Sequence, residues 1–443
     1  MHRSYFGTDG IRGRVGSATM DPEFILKLGW ASGMVLMRYF SHPVVIIGKD
    51  TRLSGYLLES VLEAGLTSAG VDVMMLGPIP TPAVSYLTKA FRAQAGIMIS
   101  ASHNPYYDNG IKFFTQQGNK FPDEWELEIE ELLGQKMVIQ AAGVGKVVRV
   151  EDAKGRYIEF CKRSVFSFNT TLTSKVVLDC ANGAAYRVAP AVFQELGAEV
   201  ITVANQPDGM NINQACGSTH PEYLAKMVVE EQADLGIALD GDGDRLIMVD
   251  HTGQTVDGDE LLYILATNST RIPSGVVGTV MSNLGLEISL QRLGIGFARS
   301  AVGDRYVAEL LREKGWWLGG EPSGHLLNLQ VSATGDGIIN ALQILKIIEQ
   351  TGNNLHKLKL NMVKYPQVSF NVTCEAPERI RECEVVKTRV NQYEQELGKH
   401  GGRIVLRPSG TEPLVRIMVE GSDYNMITQL AENLVELVQR ELS

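Results

Sequence analysis

The sequence predicts three similar α/β domains followed by a smaller α+β domain. A strand–turn–helix–glycine–strand pattern recurs at residues 43–76, 175–203 and 275–300. After about residue 365 the pattern gives way to another order of elements. Length agrees: 443 residues are too many for one ordinary core, and two to four domains are expected.

Each repeat has the same parts. Residues 43–76 run PVVIIGKDTRLSGYLLESVLEAGLTSAGVDVMML, 175–203 run KVVLDCANGAAYRVAPAVFQELGAEVITV, and 275–300 run GVVGTVMSNLGLEISLQRLGIGFARS. The β-branched runs suit strands of a parallel sheet buried on both faces. Gly70, Gly197 and Gly294 fall where a glycine ends a helix in the left-handed region. In the last part, 367–373 alternate like a strand, 379–398 read as a charged helix, 403–407 and 414–420 read as strands around the loop Pro408–Pro413, and 423–441 read as a helix. That order predicts an α+β layer. The expected domains are 1–150, 151–250, 251–365 and 366–443.

Composition narrows the function. A net charge of -10 argues against general nucleic-acid binding, which needs a basic face, but allows local basic pockets for small anions. The five cysteines are widely spaced without a CxxC pair, so neither a zinc knuckle nor a disulfide framework is indicated. MHRSYFGTDG lacks the apolar core of a signal peptide, and Lys27 and Arg38 break the apolar stretch 24–40. A cytoplasmic protein with reduced thiols and no membrane span is expected.

Four loops carry chemistry. In the first, ISASHNPYYDNGIKFF (99–114), a strand runs into polar and turn residues, and strand C-termini of open α/β sheets are where ligands bind. Ser100 belongs to the strand; Ser102, two residues on, can turn its hydroxyl to a cleft or merely cap a turn. His103 can orient Ser102 or support the loop. The second loop is Asp240-Gly241-Asp242-Gly243-Asp244-Arg245. Three alternate carboxylates can converge on a hard cation. An EF-hand is excluded, because Arg245 and His251 stand where Gly and Glu are needed and a strand precedes the loop. Three carboxylates leave magnesium's octahedron unfilled, which implies water or a phosphate oxygen as well.

The third, Gly319-Gly320-Glu321-Pro322-Ser323-Gly324-His325, nearly matches a phosphate-binding P-loop, but His325 and Leu326 replace its Lys and its Ser or Thr. Its Glu, Ser and His suit sugar hydroxyls, with His325 as a proton carrier or a structural histidine. The fourth, Arg407-Pro408-Ser409-Gly410-Thr411-Glu412-Pro413-Leu414-Val415-Arg416, packs guanidinium forks, hydroxyls and a glycine turn into an anion cradle. GTDGIRG (7–13) adds Arg12, and GDRY (303–306) adds Arg305.

These four loops, in this order, resemble the α-D-phosphohexomutase superfamily over the whole chain. Within it, YFGTDGIRG and ISASHNPYYDNGIKFF look most like the bacterial phosphoglucosamine mutases. The resemblance implies three α/β domains of one topology and a C-terminal TATA-binding-protein-like domain around a central cleft. It implies that Ser102 carries a phosphate and that Ser102, Asp240, Asp242 and Asp244 bind Mg2+. Arg245, Glu321, Ser323 and His325 would face the sugar, and Arg407, Ser409, Gly410, Thr411 and Arg416 would grip phosphate. Lys112 and Arg12 would add positive charge at the reacting group. Pro322 departs from the branch's usual polar residue. The implied reaction interconverts glucosamine 6-phosphate and 1-phosphate, with glucosamine 1,6-bisphosphate as intermediate and activator. Mannose or glucose phosphates are rival substrates, and a non-catalytic sugar-phosphate sensor is the rival of another class. Expected partners are a sugar phosphate and a priming kinase, or self-phosphorylation at Ser102, with a homodimer left open.

Overall fold

The computed structural model describes residues 3–7, 9–140, 143–165, 171–398, 401–408 and 413–442. They form four sheets in chain order. The first has six strands in the order Ile11–Arg14, Asp108–Thr115, Ala95–Ile99, Val44–Lys49, Asp72–Pro78, Val147–Arg149. The second has five: Thr255–Val256, Leu246–Asp250, Leu235–Leu239, Lys175–Asp179, Glu199–Val203. The third has four: Gly296–Ser300, Gly275–Thr279, Leu318–Gly320, Leu326–Asn328. In each, the two strands of the recurring pattern pair in parallel across their helix. Antiparallel strands complete each sheet, so all three are mixed.

The three glycines end their helices as expected, with φ of +93° at Gly70, +102° at Gly197 and +73° at Gly294. A side chain there would strain the backbone. The central strands are buried along their length, as a sheet covered on both faces requires. One apolar core runs through all three layers, from Ile46 and Met98 through Leu178 and Leu239 to Leu318 and Ile344. Packing of this extent fixes the ends of the three sheets relative to one another.

The C-terminal domain has its own core, drawn from Val372 to Leu442. Gln367–Thr373, Leu414–Glu420 and Arg403–Pro408 form an antiparallel sheet in that order. Tyr424–Leu442 buries one helical face against it. The stretch expected as one helix over 379–398 is two pieces, a 3-10 turn Pro377–Arg381 and an α-helix Glu384–Gly398. Pro377 starts the first piece, where its missing N–H costs nothing, and Ile380 turns into the core.

Candidate active site

The site grows from two strand ends. Ala95–Ile99 stops just before Ser100, whose N–H still bonds Gly110 O at 2.9 Å. The Ser100 hydroxyl donates to Asp50 Oδ2 at 2.6 Å and accepts the Ser102 N–H at 2.9 Å. Ser100 is thus spent on the loop's own scaffold. Ser102 has φ +52°, in the left-handed region, which costs a non-glycine residue about 1–3 kcal/mol that its surroundings must hold. Its hydroxyl donates to Asp240 Oδ2 at 2.6 Å. The sequence suggested a hydroxyl open to a cleft; the residue is only 1% exposed. The Asp240–Asp244 loop covers it: a Cβ on Gly241 would stand 2.6 Å from Ser102 O, so only glycine allows the two loops to meet.

Asp240 follows the buried strand Leu235–Leu239. Oxygens of Asp240, Asp242 and Asp244 all lie within 4.8 Å of one another, and all three residues are buried. Gly243 at φ +73° makes the turn that aims them together. The counter-charge is Lys112, itself buried, with Nζ 2.8 Å from Asp242 Oδ2, 3.1 Å from Asp244 Oδ2 and 3.2 Å from Asp9 Oδ2. Burial opposes each of these charges, yet the three carboxylates hold the Lys112 ammonium well above its ordinary pKa. Burial likewise opposes Asp244 ionisation, but Lys112, His325 and Arg245 hold its carboxyl well below the usual range.

Asp240 goes the other way. Burial, then Asp244 and Asp242, push its carboxyl up to about 8. Oδ1 of Asp242 and of Asp244 are buried without a hydrogen-bond partner. An all-oxygen donor set with spare lone pairs fits a hard divalent cation.

Around this centre the structure gathers residues that the sequence did not single out. Asp9 pairs with Arg12 and with Lys112 and Lys120. Lys120 Nζ bridges Asp9 Oδ1 and Asp304 Oδ2, each at 2.6 Å. Asp304 Oδ2 lies 3.5 Å from His325 Nε2, and Asp244 Oδ1 lies 3.5 Å from His325 Nδ1. Burial opposes the imidazolium, but Asp244 and Asp304 raise His325 to about 9. A charged chain thus links the first sheet's loops to the third. His103 is its opposite: burial, then Arg245 and Arg12, lower it to about 4, so it is neutral.

The remaining predicted residues line up less evenly. Arg245 donates its backbone N–H to Asp240 Oδ1 at 3.1 Å, and its side-chain Nε is buried without a partner. Glu321 Oε1 accepts the Gly303 N–H at 2.9 Å, while Ser323 is exposed. Arg305 is taken up by Asp123, Glu126 and Glu309, not brought to the aspartates. Arg407 and Arg416 face each other across the C-terminal hairpin. Burial and then Arg416 lower the Arg407 pKa, while Glu321 raises it. The hairpin's guanidinium therefore feels the carboxylate of the Glu321 loop. Ser409, Gly410, Thr411 and Glu412 lie outside the described residues.

Four family models match the chain in order. They are described as phosphoglucomutase/phosphomannomutase alpha/beta/alpha domain I over residues 3–138, domain II over 155–253, domain III over 257–365 and the C-terminal domain over 370–437. A relative named phosphoglucosamine mutase from Aeromonas salmonicida is 54% identical over 444 residues, covering 99% of both chains. One of the same name from Coxiella burnetii is 55% identical over 446 residues with the same coverage. Among solved structures, a phosphoglucomutase/phosphomannomutase family protein from Burkholderia thailandensis superposes with TM-score 0.82 at 24% identity, covering 99% of this chain and 98% of that one. Aspergillus fumigatus N-acetylphosphoglucosamine mutase, solved with GlcNAc-6P and magnesium, gives 0.70 at 15% identity, covering 100% and 96%. The last two likenesses concern the fold. By the four matched domains and by relatives more than half identical along its length, the chain belongs to the phosphoglucomutase/phosphomannomutase family.

Proposed function

We propose that this chain is a phosphoglucosamine mutase, interconverting glucosamine 6-phosphate and glucosamine 1-phosphate and so feeding UDP-N-acetylglucosamine and cell-wall precursor synthesis. Full-length relatives at 54–55% identity carry that name. The observation that carries the chemistry is Ser102 Oγ at 2.6 Å from an aspartate of the buried triad.

O6 and O1 of one hexose are too far apart for direct transfer, so the enzyme holds the phosphate between turns. Phospho-Ser102 gives its group to the free hydroxyl of the sugar monophosphate. The resulting glucosamine 1,6-bisphosphate turns round in the cleft and returns its other phosphate to Ser102. Such transfers depend on in-line placement and charge neutralisation. Asp240, Asp242, Asp244 and a phosphate oxygen on Ser102 would hold Mg2+, which neutralises the charge developing on the transferred group. Lys112 and Arg12 supply further positive charge from the protein. His325, between Asp244 and Asp304, is suited to carry the proton exchanged with the sugar hydroxyl. Arg245, Glu321 and Ser323 orient the sugar. Arg407 and Arg416, with residues 409–411 between them, grip the phosphate that is not reacting.

The protein would work in the cytoplasm, its Ser102 primed by a kinase or by the bisphosphate itself. No described helix is long and apolar enough to cross a membrane. Glucosamine, glucose and mannose 6-phosphates assayed side by side, with the bisphosphate supplied, test the reading. The highest kcat/KM is expected for glucosamine 6-phosphate. A preference for glucose or mannose would instead assign the chain to those branches, the outcome in line with Pro322. No turnover of any of the three, with Ser102 unphosphorylated, would leave only the sugar-phosphate sensor.

A further inference from the structure

Every backbone polar group of Ser102 is held. Its N–H is taken by the Ser100 hydroxyl. Its carbonyl is held from two sides, and so is that of Asn104. On one side stands Arg52, fully buried at 0% exposure. Its Nη2 donates to Ser102 O at 3.1 Å and to Asn104 O at 2.6 Å, and its Nε to Asp108 O at 2.9 Å. Its charge is balanced by Asp50, 3.0 Å from Nη1, the same carboxylate that receives the Ser100 hydroxyl. On the other side, Asn213 Nδ2 donates to Ser102 O at 2.9 Å and to Asn104 O at 3.1 Å. Asn213 comes from the second α/β layer, where its own N–H bonds Ala181 O at 2.9 Å and its φ is +58°. Asparagine tolerates that conformation.

Two donors from separate layers thus converge on the same pair of neutral carbonyls. Neither guanidinium nor amide contacts the Ser102 hydroxyl in this arrangement. What they hold is a left-handed φ of +52° that a serine does not choose by itself. Released, the residue would relax and swing Oγ away from Asp240. Transfer from a hydroxyl displaced by about 1 Å loses rate steeply, because near-attack alignment is lost.

We propose that Arg52 and Asn213 are positioning residues that clamp the Ser102 backbone for in-line phosphoryl transfer. This rests on the reading of Ser102 as the phosphate carrier. The clamp acts on the phosphoserine and not on the sugar, so it governs kcat and leaves KM alone.

The test uses Asn213→Gly, Asn213→Asp and Arg52→Lys in the full chain. Glycine keeps the φ and removes the donor. Aspartate keeps shape and φ but turns an acceptor on both carbonyls. Turnover is normalised to phospho-Ser102 counted by intact mass, and melting is recorded for each variant. For Asn213→Gly, kcat is expected to fall about tenfold with KM for glucosamine 6-phosphate within about twofold, a loss of about 1.4 kcal/mol. For Asn213→Asp, a fall of about a hundredfold is expected by the same conversion. Arg52→Lys loses the fork and falls at least as far; if it does not fold, the Asn213 pair decides. Parental kcat per phosphoserine in both Asn213 variants overturns the clamp, and so does a rise in KM at unchanged kcat. A parent that turns over sugar phosphates without a phosphate on Ser102 overturns the phosphoserine reading itself, and the clamp with it.

Discussion

Ser102 sits in a loop fastened from several elements at once: Asp50 and Arg52 from one strand end, Asn213 from the second layer, and Gly241 of the acidic loop pressed against its carbonyl. Arg407 and Arg416 stand in a different setting, near the tip of a two-stranded hairpin in a domain with its own core. That domain joins the rest through polar contacts at its root. Glu420 accepts the Leu284 N–H at 2.8 Å, and Arg403 donates to the carbonyls of Val280 and Ser282. On the proposed reading the difference separates two jobs: bond making would sit where a shared apolar core fixes distances, and the grip on a remote phosphate on an attached unit.

The comparison is broken most completely at Ser102. Ser102→Ala is expected to abolish mutase activity and remove the phosphate seen by intact mass. Ser100→Ala should keep the phosphate and lose stability instead, since its hydroxyl ties Asp50 to the loop. Peptide mass spectrometry finding phosphate on Ser100 would reverse the assignment. Next comes the triad. Excess chelator should stop turnover and Mg2+ restore it. Asp242→Asn should lower activity by about a thousandfold, the scale of several kcal/mol of lost charge stabilisation, while the protein stays folded. Full activity in chelator would exclude the metal.

The hairpin should respond more mildly. Arg416→Ala removes a charged hydrogen-bond donor worth about 1.5–3 kcal/mol, or roughly 10- to 150-fold in kcat/KM. Phosphate on Ser102 and Mg2+ binding should be unchanged. With unphosphorylated glucosamine, variant and parent should perform alike, because neither has a remote phosphate to hold. An equal loss on both sugars would assign these arginines another role.

The last effect is on stability alone, in the support beneath Asn213. Asp179 accepts the N–H groups of Ala181 and Gly217, each at 2.8 Å, and burial pushes its carboxyl up to about 6. A folded-state pKa above the unfolded value means that folding takes up a proton. The contribution is full below about pH 4 and fades as pH rises through about 6, for at most about 3 kcal/mol over two units. Urea midpoints of the parent minus those of Asp179→Asn should therefore fall between pH 4 and 6. A flat difference would show that the carboxyl titrates normally.

The recurring strand–helix–strand pattern was legible because hydrophobic periodicity and helix-ending glycines are local signals, and Gly70, Gly197 and Gly294 all take the positive φ they foreshadow. The acidic loop was legible for a similar reason: three alternate aspartates with glycines between them repel unless something gathers them. The charged segment 379–398, expected as one helix, divides into the 3-10 turn Pro377–Arg381, whose Ile380 is buried, and the helix Glu384–Gly398, a division that propensity does not carry.

By itself the sequence determined the domain types and the convergence of Asp240, Asp242 and Asp244, each encoded within a few adjacent residues. Only the tertiary structure decided who answers them. Asp9 and Asp304 lie in segments singled out only for their arginines, and Lys120, Arg52 and Asn213 belong to no motif. Asn213 meets Ser102 across 111 positions of chain, and Lys120 meets Asp304 across 184. A charge or amide acquires its role from the partner that burial forces upon it, and that partner is chosen by packing of the three layers, which no local pattern records.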